Sequence, residues 1–404
     1  MMNKFNRLPI PNSRMGTLLT IAGIDKTAII EYGPSGTTHF AMDFLMGTGF
    51  ERINLFSAHI KENDLLFGET ERLEKAIIEL DKKNLYEYIF VSATSLTALV
   101  GIDIVACCNI LQKKIKAKLI PLEDSGSYGD ISIGIENGFS LLVSNFCEKK
   151  IKKNSGKFNI IGLSKNDCFY KSDKKTIEFI VEKYFSLKLN SCLNISAEIE
   201  KLKDISEAEI NIVVRPEGIK AAKYLEKYCG TTYIVANFYG VNNIKNTLEK
   251  IGNILKKSRD SYLITEEIKR ITEAKIALKR KLRNKKLSVC ISGNYFEACG
   301  LCSLLENDLN ILVKKIIINH KLTELHTQYY KEYLDKIIDR EQWNEAESYD
   351  LILGDEELLN YLDGELKIRV SNPNIQAKFL SCENSFMGIE GVLKMGEMIL
   401  NQLK

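Results

Sequence analysis

Four histidines and ten cysteines carry most of the ligand and acid–base capacity of this chain. His39 lies just past a turn that ends at Thr37, and His59 shortly precedes Glu62. Imidazole titrates near neutral pH, so either could move a proton or hold a metal. A satisfied structural role is the plainer alternative for both. His320 and His326 lie in a polar stretch and are expected to be exposed. Cys299-x-x-Cys302 is the only CxxC, and its two thiols would share one helix face. With Cys290 on the preceding strand, a three-sulfur redox or metal site is conceivable. The flanking Phe296, Leu301, Leu304 and Leu305 read instead as core, and no second CxxC or paired histidine completes a zinc pattern. Cys107 and Cys108 are adjacent, point about 100° apart on a helix, and are read as core. Among the carboxylates Glu31, Asp43, Glu62 and Asp103, the last follows Gly101-Ile102 and is expected to cap a helix.

These side chains depend on strand-to-helix turns for their placement. Thr27-Ala-Ile-Ile30 reads as a buried strand, and Gly33-Pro-Ser-Gly36 as a tight turn before a helix at Ala41. Exposed N–H groups in such a turn attract anions, clusters and polar ligands. Glu62-Asn-Asp-Leu-Leu-Phe-Gly68 leads into the amphipathic helix Glu71–Leu80, and Tyr88–Val91 is a strand entering Ser92-Ala-Thr-Ser95. Leu119–Leu122 is a strand followed by the Gly/Ser loop Asp124–Gly129. Strand and helix go on alternating: Phe158–Leu163, the helix around Lys175–Tyr184, Ile210–Val214, and Gly218–Tyr228 closed by Cys229-Gly230. Residues 242–284 are almost continuous helical pattern. Lys286–Gly293 opens a third strand–helix series that ends in the helix Gly388–Leu400. This alternation predicts an α/β fold of parallel sheets with helices on both faces.

The ordered set Gly33-Pro-x-Gly36-Thr37, Glu62-x-x-x-x-Phe67-Gly68, Ser95 at a strand end and Gly101-x-Asp103 resembles the component 1 family of nitrogenases and nitrogenase-like reductases. Thr232–Gly240, with Asn237-Phe-Tyr-Gly240, extends the resemblance. It implies three Rossmann-like domains: 1–150, 151–285 with a long helical connection, and 286–375. The C-terminal helix within 376–404 is expected to pack back toward the first domain. Where the family's cluster cysteines stand, this chain has Thr37 and Ser95, and residues 1–106 contain no cysteine. Hydroxyls replace thiolates poorly on iron. In a related protochlorophyllide reductase family an aspartate serves as a cluster ligand; its position falls on Thr37 as well. The positions of the family's molybdenum-cofactor ligands fall on Arg215 and on Val370 or Ser371, so that cofactor is not expected here.

The resemblance therefore implies a subunit of a nitrogenase-like, ATP-dependent reductase. Its candidate cofactor-binding residues are Gly33, Gly36, Thr37, His39, Ser95, Ser125 and Gly126, with His39 and His59 as catalytic candidates. The iron–sulfur cluster would be held by, or shared with, a cysteine-bearing component 1-type partner. The sequence has no Walker A, Gly-x-Ser-x-Gly or His-Glu-x-x-His motif; ATP would be used by a separate P-loop iron protein. The alternatives are a non-catalytic scaffold for metallocofactor assembly and a small-ligand-binding protein of the same fold.

With 404 residues the chain is expected to hold two or three domains. A net charge of +3 gives no footprint for nucleic acid or an anionic membrane. The Lys149–Lys153 and Lys279–Arg283 runs are local; the first lies in the segment Glu148–Lys157 expected to mark a domain boundary, and the second reads as a solvated helix face. No run of about 18 apolar residues suggests a membrane span, and no apolar signal region stands at the N-terminus. The expected location is the cytoplasm, with reduced cysteines.

Overall fold

The computed structural model describes residues 11–48, 53–127, 129–149, 156–195, 198–257, 261–282, 286–342, 347–372 and 385–402. Tyr128, most of the expected boundary between Glu148 and Lys157, Arg283 and residues 376–384 lie outside these. The chain divides into two compact units, one of residues 10–147 with 194–203, the other of residues 148–193 with 204–404 and 1–9.

The smaller unit opens with α1 (Ser13–Ile21), capped by Asn12, whose side chain accepts from Met15 N. β1 (Thr27–Tyr32), α2 (Ser35–Gly47), β2 (Leu55–Ser57), α3 (Glu62–Phe67), α4 (Glu71–Lys82) and β3 (Tyr88–Ala93) follow. Then come α5 (Ser95–Leu99), α6 (Ile104–Leu111), β4 (Lys118–Leu122) and α7 (Ile131–Phe146). The four strands pair in parallel in the order β2-β1-β3-β4. All six residues of β1 are buried, as a parallel strand covered on both faces requires. The alternation of α4 works as read: Leu73, Ile77 and Leu80 face the core. Asp103 caps α6 by accepting from Ala106 N at 2.8 Å.

Gly134 in α7 and Gly16 in α1 allow a close helix crossing. A Cβ on Gly134 would stand 1.8 Å from Ser13 O, and one on Gly16 would stand 2.1 Å from Ile131 O. α1 and α7 thus meet backbone to backbone, with Thr17 Oγ1 donating to Gly134 O at 3.2 Å. Gly134→Val should cost at least about 1–3 kcal/mol, because these are backbone atoms that cannot rotate away. Thermal unfolding of the variant checks this; an unchanged midpoint would refute the close crossing.

The larger unit begins with β5 (Lys157–Ile161), α8 (Tyr170–Phe185) and β6 (Lys188–Cys192). The chain then departs from the contiguous domains expected. α9 (Ile199–Lys203) belongs to the smaller unit and packs on α7. β7 (Ile210–Val213), α10 (Ile219–Cys229) and β8 (Thr232–Val235) complete a parallel sheet of order β6-β5-β7-β8. Gly230 ends α10 at φ 66°, the left-handed cap its position suggested.

The expected continuous helix is two helices, α11 (Val241–Leu255) and α12 (Ser261–Leu282). Lys256 at φ 51° ends the first. The third sheet contains β9 (Val289–Gly293), β10 (Val313–Ile318), β11 (Ile337–Asp339), β12 (Ser348–Gly354) and β13 (Asp363–Arg369) in the order β11-β10-β9-β12-β13, all parallel. Its helices are α13 (Tyr295–Ser303), α14 (Glu324–Thr327) and α15 (Glu356–Tyr361). The last helix, α16 (Gly388–Gln402), is expected to pack toward the first domain; it lies instead in the larger unit, chiefly against α12. Three parallel α/β sheets are thus present, as the alternation predicts. No helix among the described residues is long and apolar enough to cross a membrane.

Candidate functional site

In the smaller unit, the sequence-derived candidates gather at the carboxyl ends of the strands. The turn after β1 presses Gly33 against Thr94, where a Cβ would stand 2.2 Å from Thr94 Cγ2. Thr97 Oγ1 donates to Tyr32 O at 2.7 Å and so ties the start of α5 to the end of β1. Ser95 Oγ donates to Ser125 O at 2.8 Å. Gly126, at φ 98°, donates its N–H to Asp124 Oδ1 at 2.9 Å, and Ser13 Oγ donates to the same oxygen at 2.7 Å. The structure therefore joins Ser95 to the Ser125–Gly126 loop. Thr37 is half-buried in the first turn of α2. Gly36 is exposed with open space around its α-carbon, so nothing local requires a glycine there.

His39 and His59 both face solvent. His59 holds a left-handed backbone at φ 50°, its N–H donating to Ser57 Oγ at 3.0 Å. Glu31 is fully buried and paired with Arg14. Burial pushes its carboxyl up while the Arg14 charge opposes the shift; it is a structural ion pair. Around this end stand exposed apolar side chains: Phe40, Leu66, Phe67, Leu96, Leu99 and Val100, with Phe67 75% and Leu99 83% accessible.

The cysteines of the third series do not gather. Cys290, Cys299 and Cys302 are completely buried, and among the described residues no three cysteines come close enough to share a metal ion. Burial pushes the Cys290 thiol up to about 12 and raises the other two as well. Such thiols are inert core groups. Cys108 is core as expected, whereas Cys107 is half-buried.

A second site in the larger unit escaped sequence reasoning. The strand orders of its two sheets reverse direction at β5/β7 and at β9/β12, the places where open α/β sheets take ligands. Arg215 follows β7 and is nine-tenths buried. Its guanidinium lies 2.5 Å from Asp167 and 3.6 Å from Glu217. His326, expected to be exposed, is buried with its Nε2 3.7 Å from Glu217 Oε1; His320 is buried too. The polar sequence around them misleads because the two rings turn inward and lie 4.7 Å apart. Glu297, Asp173, Tyr239 and Asn294 line the same crevice, whose free space is about 20 Å³, room for about one water.

The charges here are strongly perturbed. Burial drives Asp167 up against the pull of Arg215, and drives Glu297 well above the usual carboxylate range. Burial pushes Asp173 up to about 8, against a hydrogen bond from Ser385. Glu217 goes the other way: burial would raise it, but Arg215 and a hydrogen bond from His326 outweigh burial and hold it well below the usual range. The interior can thus keep an ionised Arg215–Glu217 pair beside acids whose hold on a proton burial strengthens. The sequence signal that could have found it is Arg215-Pro-Glu217 directly after the apolar β7, charge placed at the carboxyl end of a buried strand.

These residues do not fit the clusters of the resembled family. In the smaller unit, the turn positions offer the hydroxyls of Thr37 and Ser95, and Ser95 is already bonded to Ser125 O. In the larger unit, Arg215 is ion-paired and Ser371 Oγ donates to Ser292 O at 2.8 Å. Neither supplies the thiolate or imidazole that the family's cofactor would take.

Comparison with known proteins adds a family and a fold. The family model described as Nitrogenase component 1 type Oxidoreductase matches residues 13–404. The nitrogenase iron-molybdenum cofactor biosynthesis protein NifE of Clostridium pasteurianum is 26% identical over 68% of this chain and 61% of its own length. A light-independent protochlorophyllide reductase subunit of Heliobacterium modesticaldum is 23% identical over 57% of this chain and 45% of its own length. The matched stretch therefore spans about half to three-fifths of these relatives. A solved structure titled "Nitrogenase Cp1 at pH 6.5" superposes with a TM-score of 0.79 at 16% identity, covering 99% of this chain and 94% of that one.

Proposed function

We propose a function from one premise: this chain belongs to the nitrogenase component 1 type oxidoreductases. It acts as a subunit that pairs with a cysteine-bearing chain of the same type, and that partner holds the iron–sulfur cluster. The observation that carries this reading is the apolar rim of Phe40, Leu66, Phe67, Leu96, Leu99 and Val100 around the turns where family cysteines would stand. A rim of this composition has the character of an unfilled protein–protein contact. Thr37, Ser95 and the Ser125–Gly126 loop then contribute hydrogen-bonding groups and shape to the shared pocket. The partner's cluster would supply one-electron chemistry, with electrons delivered by a separate P-loop iron protein that hydrolyses ATP.

A second reading is favoured by the relatives named for iron-molybdenum cofactor biosynthesis. In it the same pairing surface serves a non-catalytic scaffold on which a metallocofactor is built. Both readings require the pair, and they part on turnover.

The test is anaerobic purification of this chain alone and co-expressed with a cysteine-bearing component 1-type subunit, followed by iron and acid-labile sulfide analysis. The expected result is no iron–sulfur chromophore in the chain alone and stoichiometric iron and sulfide in the pair. Leu99→Asp should abolish co-purification while leaving the chain folded. Iron and sulfide in this chain alone would overturn the proposal. A loaded pair without ATP-dependent substrate reduction would favour the scaffold.

A further inference from the structure

We propose that Glu217, His320 and His326 form a site for one zinc-class divalent ion inside the larger unit. The three residues come from separate places: the turn after β7, the residue region following β10, and α14. Each offers one ligand atom, and these atoms all lie within 4.8 Å of one another. A tetrahedral ion with nitrogen and oxygen bonds of about 2.0–2.2 Å holds its ligand atoms about 3.4 Å apart. The 3.7 Å between His326 Nε2 and Glu217 Oε1 is already close to that. Two imidazoles with one carboxylate are a donor set that zinc takes readily.

The outer contacts orient the rings for this task. His320 Nδ1 lies 3.0 Å from Lys321 O, so donation to that carbonyl places the lone pair on Nε2. His326 Nδ1 accepts from Thr323 N at 3.2 Å and lies 2.8 Å from Thr323 Oγ1, so its Nε2 carries the proton facing Glu217; an ion on Nε2 requires that proton to leave or to move to Nδ1, where Thr323 Oγ1 can accept it. Fixing the tautomer through a backbone carbonyl or hydroxyl is the usual support of metal-bound histidines. Three contacts oppose the ion. Thr323 N donates to His326 Nδ1 at 3.2 Å and would lose that acceptor. Tyr295 N donates to His320 Nε2 at 3.1 Å and would have to yield; that N–H opens α13 and has no intrahelical acceptor of its own. Arg215, 3.6 Å from Glu217, repels a cation, but Asp167 lies against its other amino group at 2.5 Å and offsets its charge.

The competing account is that Glu217 is only the counter-ion of Arg215 and His326. Zinc content of the folded full chain, purified from zinc-supplemented medium, separates the two. The expected result is about one zinc per chain. Replacement by cobalt(II) should give visible bands of a tetrahedral nitrogen–oxygen site without thiolate-to-cobalt absorption. Glu217→Gln, nearly isosteric, and His326→Ala should weaken zinc by more than about 100-fold, beyond the loss usual for an outer contact. Cys299→Ser should leave it unchanged. Folded wild-type chain without stoichiometric zinc, zinc retained by Glu217→Gln, or thiolate bands in the cobalt spectrum would each overturn the site. If His326→Ala does not fold, Glu217→Gln and the wild-type cobalt spectrum still decide.

Discussion

Arg215→Met should destabilise the larger unit by about 3–5 kcal/mol, the range found when one partner of a buried ion pair is removed. Arg215 is the cation facing Asp167 and Glu217, and all three are nearly or fully buried. Methionine fills much of the volume but leaves Asp167 with its burial penalty unopposed. Glu217 keeps the His326 contact. Asp167 should respond by binding a proton, so the loss is smaller at pH 5 than at pH 8. Adding Asp167→Asn should recover part of the stability, since it removes the charge left without a partner. The exposed Lys26–Glu87 pair is the contrast: its side chains are 58% and 46% accessible, and Lys26→Met should change stability by less than about 1 kcal/mol. Urea unfolding measures both. A loss below about 1 kcal/mol for Arg215→Met would mean that water reaches the crevice and screens it.

The fold was legible because its strands are buried on both faces. β1, β7 and β9 are largely apolar runs, buried throughout and followed by glycine or charged turns, and each is a strand where the pattern put it. Helix ends were legible where chemistry is local, as at Asp103 and Gly230. β2, β11 and β13 gave no comparable signal. β2 and β11 have three residues each, and β13 alternates exposed Asp363, Glu365 and Lys367 with buried Leu366 and Ile368. All three lie at sheet edges, where one side meets no neighbour and polar residues are tolerated. The glycines of α7 carry no signal of their own in the sequence. Their function in the crossing with α1 depends on a contact between residues more than a hundred positions apart.

The candidate site was legible in one half. Gly33, Ser95, Ser125 and Gly126 follow strands directly, so the order of strands and turns alone brings them to one end of a sheet. His39 and His59 were drawn in by nearness in sequence, yet both face solvent. The buried network is the opposite case. Asp167, Asp173, Glu217, Glu297, His320 and His326 are spread over 160 residues, and each looks like an ordinary surface residue until its partners are known. What singles them out is burial of charge, which the local sequence signals only at Arg215-Pro-Glu217 after β7.

Asp173 gives that buried charge a pH signature. It lies in the first turn of α8, where an ionised carboxylate is ordinarily favoured. Burial wins instead and pushes it up to about 8. The groups facing it are Ser385, whose Oγ lies 2.6 Å away and lowers the shift, Asp167, which raises it, and Lys394, which lowers it. In the unfolded chain the same carboxyl loses its proton near pH 4. Between those values the folded chain binds more protons, so stability falls as pH rises. The contribution is fully present below pH 4 and gone above about pH 8. At about 1.4 kcal/mol per unit of separation, its ceiling is on the order of 5 kcal/mol. Asp173→Asn keeps an acceptor for Ser385 and cannot ionise. Variant and wild type should therefore be close in stability at pH 4.5, and the variant should be more stable by several kcal/mol at pH 8.5. Urea unfolding across that range yields the difference curve, in which titrations remote from Asp173 cancel. Two parallel curves would mean that Asp173 ionises in the folded chain as it does in water, and that the crevice is wet.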